Sequence, residues 1–492
     1  MYIGIVVLCL LAVIGLYFGN NPLKHGRWFM MRRFINWFPL GMTYSFLYMA
    51  RYNLAVSKNA LGTLMSREDF GWIFLAGTWT YALAFLINGP LVDKIGGKKG
   101  IIIAAIGASV ANIGLGILTY LVLTNQLHMK LVVAFSAVYA VNMYFQSYGA
   151  VSIIKVKAYW FHVRERGVFG AIFGTLISFG VYFAFDWGQA IIAMTAPANG
   201  GSESWLHSLA RKLFGVEGQS TTATWAVFFI PAAILVCWAL IDLWLIKDTP
   251  EEAGFPPFDT HDASSGQMDV KLTTADLFKK VFGSPLMLLF ASVELTAGVL
   301  RNGIMQWYSI FAKEVPQNGA TFIGAHWGLL MCIFGIIGGF AGGLISDKHF
   351  QSRRGPPAAL LCGAMFLLTI VMAIWIFSCP LVVGIAALLI VLAVTGVHSL
   401  MSGTAAADFG GRKATATCSG IVDGCVYVGS GLQSVFVGYL TGLSWQWWPV
   451  FLMPFALLGM FIAVRFWNEL PAATKKYILE VEMKRATARA SV

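Results

Sequence analysis

Two short stretches decide how this chain is organised: GPLVDKIGGKK at residues 89–99 and GGLISDKHFQSRRG at residues 342–355. Each follows a long apolar run, and each combines glycines, an aspartate and a pair of basic residues. The two aspartates, Asp93 and Asp347, are 254 residues apart in a chain of 492. A motif that recurs at about half the length of the chain indicates an internal duplication.

The composition assigns the duplicated unit to a membrane. Of all residues, 58% are hydrophobic and 12% are charged, whereas a soluble domain carries about 25% charged residues. The net charge is +11, but most basic residues lie in loops between apolar runs, where they set topology. We therefore expect the lipid bilayer as a partner and no nucleic acid. The sequence contains no CxxC pair, P-loop or other enzyme motif, so we expect no metal, no cofactor and no enzymatic activity.

Apolar runs of about 20 residues predict membrane-spanning helices. They predict an all-α polytopic membrane protein with six plus six spans, at about 35–57, 70–92, 101–124, 131–154, 167–193, 224–246, 285–310, 321–346, 357–378, 380–407, 414–443 and 446–464. A further run, 2–19, lacks the basic n-region and the small-residue cleavage site of a signal peptide. We interpret it as an extra N-terminal helix.

The loops predict the orientation. Basic residues concentrate on alternate loops, such as Arg32-Arg33 and Arg412-Lys413, which places those loops and the C-terminus in the cytoplasm. The one long polar connection on that side contains three prolines and a Ser-Ser-Gly, as in a linker. The predicted division is 1–34 (extra helix and basic linker), 35–247 (N-terminal six-helix bundle), 248–284 (linker), 285–468 (C-terminal six-helix bundle) and 469–492 (tail).

Charged residues inside the predicted spans are the strongest functional signal. Arg51 and Arg301 each lie 16 residues into their runs, which is about 24 Å along a helix axis. Guanidiniums at equal depth in two related bundles would repel each other unless an anion lay between them, and their forked donors match phosphate or carboxylate. Alternatively a helix carboxylate neutralises each arginine. Glu294 and Asp423 are the candidates for charge balance or proton coupling, and stabilisation of helix packing is a further alternative for Asp423.

Neighbouring residues extend the predicted substrate site. Tyr44 and Tyr48 share a helix face with Arg51 and can donate hydroxyl groups to the same ligand; aromatic packing is the alternative. Gln146 either lines the pore or bonds between helices. Trp307, six residues after Arg301, is a further candidate.

The repeated loop motif predicts a cytoplasmic gate rather than a substrate site. In the first copy Asp93, Lys98 and Lys99 lie together at a helix end, where an acid can cap the adjoining helix and bind the basic loop. The second copy consists of Asp347, Arg353 and Arg354. Such contacts would break and re-form as the two bundles rock.

These motifs resemble a known family. GPLVDKIGGKK is similar to the loop motif of the major facilitator superfamily. YMARYN (48–53), WFHVRERG (160–167), KDTPEEAGFPP (247–257), VLRNGIMQWYSIFAKE (299–314) and GLISDKHFQSRRG (343–355) resemble its organophosphate:phosphate antiporter family, to which the bacterial glycerol-3-phosphate and hexose-phosphate transporters belong.

The resemblance implies a major facilitator fold. We expect the protein to be a monomer in the cell (inner) membrane. It implies exchange of a phosphorylated small molecule, of the sugar phosphate or glycerol phosphate class, for inorganic phosphate by alternating access. Arg51 and Arg301 match the arginines that hold the phosphate, and Tyr44 and Tyr48 match nearby tyrosines. Two alternatives stay open: a proton-coupled symporter of an organic carboxylate, and a ligand-binding membrane sensor of the same fold.

Overall fold

The computed structural model describes the chain except residues 1–2, 20, 163–164, 198–203, 258–259, 261–278, 280–281, 316–321, 351–352, 410 and 470–492. At 3, 5, 166–171, 347, 403–409 and 411–419 it describes the backbone alone. The α-helices of the N-terminal half are α1 (Ile3–Gly19), α2 (Arg27–Leu61), α3 (Arg67–Ile95), α4 (Gly97–Leu123), α5 (Leu131–Trp160), α6 (Arg166–Tyr182), α7 (Gly188–Thr195), α8 (Trp205–Leu213) and α9 (Ala226–Leu245).

The C-terminal half contains α10 (Pro285–Met305), α11 (Trp307–Glu314), α12 (Phe322–Ala325), α13 (Trp327–His349), α14 (Gly355–Trp375), α15 (Pro380–Phe409), α16 (Gly411–Leu443) and α17 (Trp447–Arg465). A π-helical turn, Phe183–Trp187, joins α6 to α7. Within the described ranges the chain is entirely helical or irregular, which confirms the predicted all-α fold.

Among the described residues, ten helices or continuous helix pairs are long and apolar enough to cross a membrane by length and composition. The remaining two predicted spans lie in α2 and α5, which are 35 and 30 residues long. These two helices are more polar because they carry buried amides and Arg51. Together the helices account for the twelve predicted spans, and α1 confirms the extra N-terminal helix.

A capping residue begins helix α3, and a glycine ends it within the GPLVDKIGGKK motif. Ser66 begins α3 with a capping box, in which its hydroxyl accepts from the backbone N–H of Asp69 and the Asp69 carboxylate accepts from that of Ser66. Gly96 separates α3 from α4 with φ of 91°, a left-handed conformation that favours glycine. In its first copy the loop motif is therefore a one-residue turn between α3 and α4, whereas residues 350–354 separate α13 from α14 in the second copy.

The two halves pack on each other along several seams, in which α3 and α5 contact α16, α6 contacts α13, and α2 contacts α11. Small residues permit the closest approach: a Cβ atom added to Gly71 on α3 would lie 2.5 Å from the carbonyl oxygen of Ser434 on α16. Helix α16 contacts both α3 and α10, and Arg51 on α2 contacts Tyr81 on α3. Residues of α2, α3, α10 and α16 therefore come together next to the seam between α3 and α16.

Helix α1 is attached to the N-terminal half through a buried ion pair. The guanidinium of Arg33 on α2 donates from Nη1 and Nη2 to the two carboxylate oxygens of Glu165, both at 2.9 Å. Its Nε donates to Tyr17 Oη on α1 at 3.0 Å, and Tyr17 donates to the carbonyl of Met30 at 2.8 Å. Burial raises the pKa of the Glu165 carboxyl, but hydrogen bonds from His25 and Arg33 outweigh it and hold the pKa at about 2.

The start of the polar connection docks on the same end of the bundle. The backbone N–H of Lys247 donates to Asn36 Oδ1 at 2.7 Å, and the indole of Trp160 donates to the carbonyl of Lys247 at 3.0 Å. Asp248 Oδ1 accepts from the backbone N–H of Lys98 at 2.8 Å. The WFHVRERG and KDTPEEAGFPP motifs thus supply contacts that fix helix ends. The centre of the predicted linker and the tail lie outside the described residues, and the division into two bundles stays a prediction.

Candidate functional site

Arg51 lies in the middle of α2 and is 1% exposed. Its Nε donates to Gln146 Oε1 on α5 at 2.9 Å. Nη1 donates to Tyr427 Oη on α16 at 2.5 Å, and Nη2 donates to Tyr81 Oη on α3 at 3.2 Å. All three acceptors are neutral oxygens, so the guanidinium is oriented without being neutralised.

A chain of buried amides holds Gln146 in place behind the arginine. Gln146 Nε2 donates to Asn142 Oδ1 at 3.1 Å, and Asn112 donates to the same oxygen at 3.1 Å. Asn53, two residues after the arginine on α2, donates to Asn112 Oδ1 at 2.8 Å. The network joins α2, α4 and α5, because a buried amide needs partners for each of its polar atoms. Gln146 therefore contacts the predicted site directly, and Asn142 supports it.

Arg301 on α10 is 8% exposed. It forms a single hydrogen bond within the described chain, from Nη2 to Tyr48 Oη at 3.4 Å. Its remaining N–H groups have no acceptor among the described residues, although a guanidinium carries five donors. This arginine is therefore buried and charged, and most of its donors have no partner in the described part of the chain.

Tyr48 links the two arginines. Its hydroxyl contacts Arg301, and its ring centroid lies 4.6 Å from the guanidinium carbon of Arg51. Tyr44, one turn earlier, packs edge-on against Tyr48 with ring centroids 5.2 Å apart. Neither arginine forms an ion pair with a carboxylate in the described part of the chain. The predicted grouping of two arginines with two tyrosines is thus present in the structure.

Sequence reasoning missed several residues that complete this centre. Tyr81 and Tyr427 cover the Arg51 guanidinium, with ring centroids 4.6 and 5.4 Å from its central carbon. Tyr52 donates to Asn302 Oδ1 at 3.2 Å and so joins α2 to α10. Asn302 adjoins Arg301 in sequence, and Tyr52 adjoins Arg51, which is the signal that could have identified this pair. Nothing in the sequence relates Tyr81 to Tyr427.

Glu294 does not pair with Arg301, although the two share a helix. Its carboxylate oxygens lie 3.0 and 3.2 Å from Nδ1 of His398 on α15. Asp423 is half-buried on α16, one turn before Tyr427. Sequence reasoning assigned His398 no role, since its partner lies 104 residues away.

The other two intramembrane carboxylates have local partners. Asp242 on α9 accepts from the hydroxyl of Thr43 at 2.6 Å. Asp186, in the π-helical turn, lies against Gly328 at the start of α13, where backbone N–H groups and the helix dipole favour an anion. Neither is positioned to neutralise the arginines.

Trp307 lies away from the guanidiniums. Its ring packs against Phe70 and Trp445, with centroids 5.6 and 6.4 Å apart, and it is fully buried. It belongs to an aromatic cluster between α3, α11 and the start of α17. The predicted role in binding substrate has no support in its described contacts.

The residues of the predicted gate make contacts within their own halves. Asp93 Oδ1 lies 2.9 Å from Nζ of Lys155 on α5. Lys98 contributes its backbone N–H to Asp248, and Lys99 is exposed. In the second copy, the hydroxyl of Ser346 accepts a hydrogen bond from Nη1 of Arg354 and donates one to the carbonyl of Arg353, both at 3.0 Å. The Asp347 side chain lies outside the described residues. The gate stays a prediction.

The end of the bundle opposite these loops is closed between the halves. Glu314 of α11 lies 3.2 Å from Lys58 Nζ of α2 and 2.6 Å from Arg67 Nε of α3. Arg67 also donates to the carbonyl of Thr441 on α16, and Asn59 donates to that of Ser309 at 3.3 Å. We call the contacts of Lys58, Arg67 and Glu314 the outer latch.

A sequence profile described as Major Facilitator Superfamily matches residues 29–434. The chain belongs to the Major Facilitator Superfamily. Proteins of this family are transporters rather than enzymes, and the chain is a multi-pass membrane protein.

Individual relatives are distant but cover most of the chain. The glycerol-3-phosphate transporter of Bacillus subtilis is 23% identical over 86% of this chain and 90% of its own. The membrane sensor protein UhpC of Salmonella typhimurium is 25% identical over 82% and 84%. A probable hexose phosphate transport protein of Chlamydia pneumoniae is 20% identical over 79% and 81%. These relatives confirm the resemblance stated from the motifs.

Solved structures show the same fold. The crystal structure of the transporter FucP in its outward conformation matches 87% of this chain and 99% of its own, with a TM-score of 0.54 and 17% identity. A crystal structure of a mutant of the nucleoside transporter NupG covers 87% and 100% with a TM-score of 0.54 and 14% identity. Both matches concern the fold alone.

Proposed function

We propose that this protein exchanges a phosphorylated small molecule of the sugar phosphate or glycerol phosphate class for inorganic phosphate. The observation that carries the proposal is the pair of buried arginines, Arg51 and Arg301, which share Tyr48 and lack a carboxylate partner in the described chain. A buried cation without a counter-ion is unfavourable. A phosphate group supplies both the charge and the acceptor oxygens.

The geometry favours a phosphate over a single carboxylate. The unused N–H groups of Arg301 form a fork that matches two phosphate oxygens. Tyr48 can donate to another, because its hydroxyl contacts Arg301. Tyr44 packs on Tyr48, and its hydroxyl has no acceptor among the described residues, so it is a further donor. The names of the relatives, which include glycerol-3-phosphate and hexose phosphate transporters, agree with this preference.

Alternating access follows from the position of the arginines. Arg51 belongs to the N-terminal half and Arg301 to the C-terminal half, so an anion bound to both joins the halves. Without an anion the two charges repel, and movement of the empty carrier through its occluded state is slow. Loaded carriers therefore reorient faster than empty ones, which is the condition for exchange.

The remaining steps take place at the two ends of the bundle. The outer latch closes one end, and breaking it would open that end as the halves rock. At the other end we propose that Asp93, Lys98 and Lys99, with Asp347, Arg353 and Arg354, form the cytoplasmic gate. The protein would work as a monomer in the cell (inner) membrane, with its C-terminus in the cytoplasm.

Counterflow in proteoliposomes tests the exchange. We expect purified protein to take up labelled phosphate only when the vesicles contain phosphate or an organic phosphate. Empty vesicles, and vesicles loaded with a dicarboxylate, serve as controls. Uptake that needs no internal phosphate, and that follows an imposed pH gradient with a carboxylate as cargo, would replace this proposal with proton-coupled carboxylate symport.

One specific observation favours a second function, that of a membrane sensor. UhpC, named a sensor, matches 82% of this chain at 25% identity. Helix α1 lies outside the twelve spans, next to α6, and exposes several apolar residues that a second membrane protein could contact. Tight phosphate binding without counterflow, in protein shown to be folded, would support sensing over exchange.

A further inference from the structure

A second pair of titratable groups lies close to the arginine site. Glu294 is two turns before Arg301 on α10 and is fully buried. Nδ1 of His398 lies within hydrogen-bonding distance of both its oxygens, at 3.0 and 3.2 Å. The imidazole is 27% exposed, whereas the carboxylate is 0% exposed. The pair therefore connects a sealed carboxylate to an accessible ring.

The contact requires at least one proton. A carboxylate oxygen and an imidazole nitrogen this close share an N–H or O–H donor, because two bare acceptors would repel each other. The second ring nitrogen, Nε2, has no hydrogen-bonding partner among the described residues. A proton can therefore bind or leave at Nε2 while the bond at Nδ1 persists. Imidazole is the side chain whose ordinary range of titration lies between pH 5 and 8.

The charges around this pair tie it to the arginine site. The titratable groups that interact with it electrostatically come from four elements and are Arg301 on α10, Asp423 and Cys425 on α16, Cys362 on α14 and Tyr48 on α2. Helix α13 packs on α15, and helix α17 packs on α10. Residues 327–346 of α13 and 447–464 of α17 include no aspartate, glutamate or histidine, so these helices add no further acidic or imidazole group. Arg301 and Tyr48 are thus common neighbours of His398 and of the proposed phosphate.

We propose that the His398–Glu294 pair is a proton-binding site that is coupled to anion binding at Arg51 and Arg301. The inference rests on the proposed function, since it takes phosphate or an organic phosphate as the anion. Without the anion, a proton on His398 adds a positive charge near Arg301, which shares Tyr48 with Arg51. With the anion bound, its negative charge stabilises the imidazolium. Anion binding then draws a proton onto the pair, and by linkage a lower pH strengthens anion binding.

Calorimetry on the full-length purified protein tests the coupling. Inorganic phosphate is titrated at pH 7 in buffers of different ionisation enthalpy, which gives the number of protons taken up per phosphate bound. The variants are His398→Gln and Glu294→Gln, and the matched control is His128→Gln, an exposed histidine in the loop after α4. Phosphate's own ionisation cancels in the comparison when all four proteins bind the same ionic form.

We expect wild type and His128→Gln to take up more protons than the other two variants, by a substantial fraction of one. Between pH 6 and 8 wild-type affinity should fall relative to that of His398→Gln, by about tenfold for each pKa unit of coupling. Equal proton uptake in wild type, His398→Gln and Glu294→Gln, with phosphate still bound, would overturn the proton site alone. If His398→Gln does not fold, the comparison of proton uptake between wild type and Glu294→Gln tests the proton site. Folded wild-type protein that binds no phosphate would instead overturn the proposed function.

Discussion

Arg33 and Arg51 lie on the same helix, and each is 1% exposed. Each guanidinium also faces three aromatic rings, Tyr17, Phe29 and Phe161 for Arg33, and Tyr48, Tyr81 and Tyr427 for Arg51. The difference is the counter-ion. Both terminal nitrogens of Arg33 bond the carboxylate of Glu165, whereas Arg51 bonds only phenol and amide oxygens.

This difference separates a structural arginine from a binding one. Replacing Glu165 leaves the buried Arg33 without a counter-ion, so the pair keeps α1, α2 and the α5–α6 loop together. Arg51 is oriented by neutral groups, which leaves its charge for a ligand. Burial and aromatic contacts are the same in both places and do not distinguish the two roles.

Another buried arginine shows that neutral partners alone do not identify a binding site. Arg211 on α8 is 3% exposed and bonds the carbonyl groups of Thr195, Val216 and Gln219 at 2.5–2.8 Å. Thr195 ends α7, and helix C-termini favour cations. Neutral partners therefore do not suffice to identify a site. What marks Arg51 and Arg301 is that both face the seam between the halves and that Arg301 keeps unused donors.

The largest expected effect concerns the structural arginine. Glu165→Gln leaves Arg33 buried and uncompensated, and the lowered carboxyl pKa corresponds to about 3 kcal/mol of folding free energy. Thermal or denaturant unfolding in detergent should show a loss of that order, while phosphate affinity of the folded protein stays within about twofold of wild type. A loss of phosphate affinity without loss of stability would reverse the roles assigned to the two arginines.

The same pair predicts a pH dependence of stability. The ordinary pKa of the carboxyl is 4.5, and in the folded protein it is about 2. A lowered pKa means that the stabilisation is complete above pH 4.5 and is lost as the pH falls from 4.5 toward 2. The difference in stability between wild type and Glu165→Gln should therefore shrink across that window. A constant difference down to about pH 2 would contradict the ion pair.

A smaller effect is expected at the outer latch. Glu314→Gln removes the anion shared by Lys58 and Arg67, which we expect to weaken closure of that end by about 1 kcal/mol, since the three side chains are only partly exposed. The distance between spin labels at the exposed positions Leu64 and Leu443 should then show a larger open population, by roughly fivefold. Glu217→Gln, in an exposed loop, is the matched control. An unchanged distribution would show that the latch does not hold the halves.

An effect of similar size is expected behind Arg51. Gln146→Met keeps the volume of the side chain but removes the acceptor for Nε, and the loss of one such hydrogen bond is worth about 1 kcal/mol. Phosphate affinity should fall roughly fivefold, because the guanidinium loses its orientation. Gln433→Met, at another fully buried glutamine, serves as the control. Equal affinities of both variants would show that the amide chain does not position Arg51.

Patterns along the chain predict the fold, the arginines and neighbours such as Tyr48 and Gln146, but not the partners that other helices contribute, such as Tyr81 and Tyr427. Apolar runs predict membrane spans directly. Charged residues within them are rare, because placing a charge inside the membrane costs free energy, so each one indicates a candidate functional site. The partners of a buried group depend on which helices adjoin, and that is not local. His398 is a lone histidine until α15 packs on α10 beside Glu294. Trp307 adjoins the site in sequence, but α11 starts there and turns its ring toward Phe70.

Equilibrium binding of labelled phosphate to purified protein tests the role of the arginine pair most directly. Wild type is compared with Arg51→Lys, Arg301→Lys and, as the matched control, Arg211→Lys. We predict that both site variants bind phosphate at least about tenfold more weakly, because a lysine keeps the charge but not the fork of donors, and that Arg211→Lys binds like wild type. Wild-type affinity in both site variants would contradict the assignment of Arg51 and Arg301 to the anion.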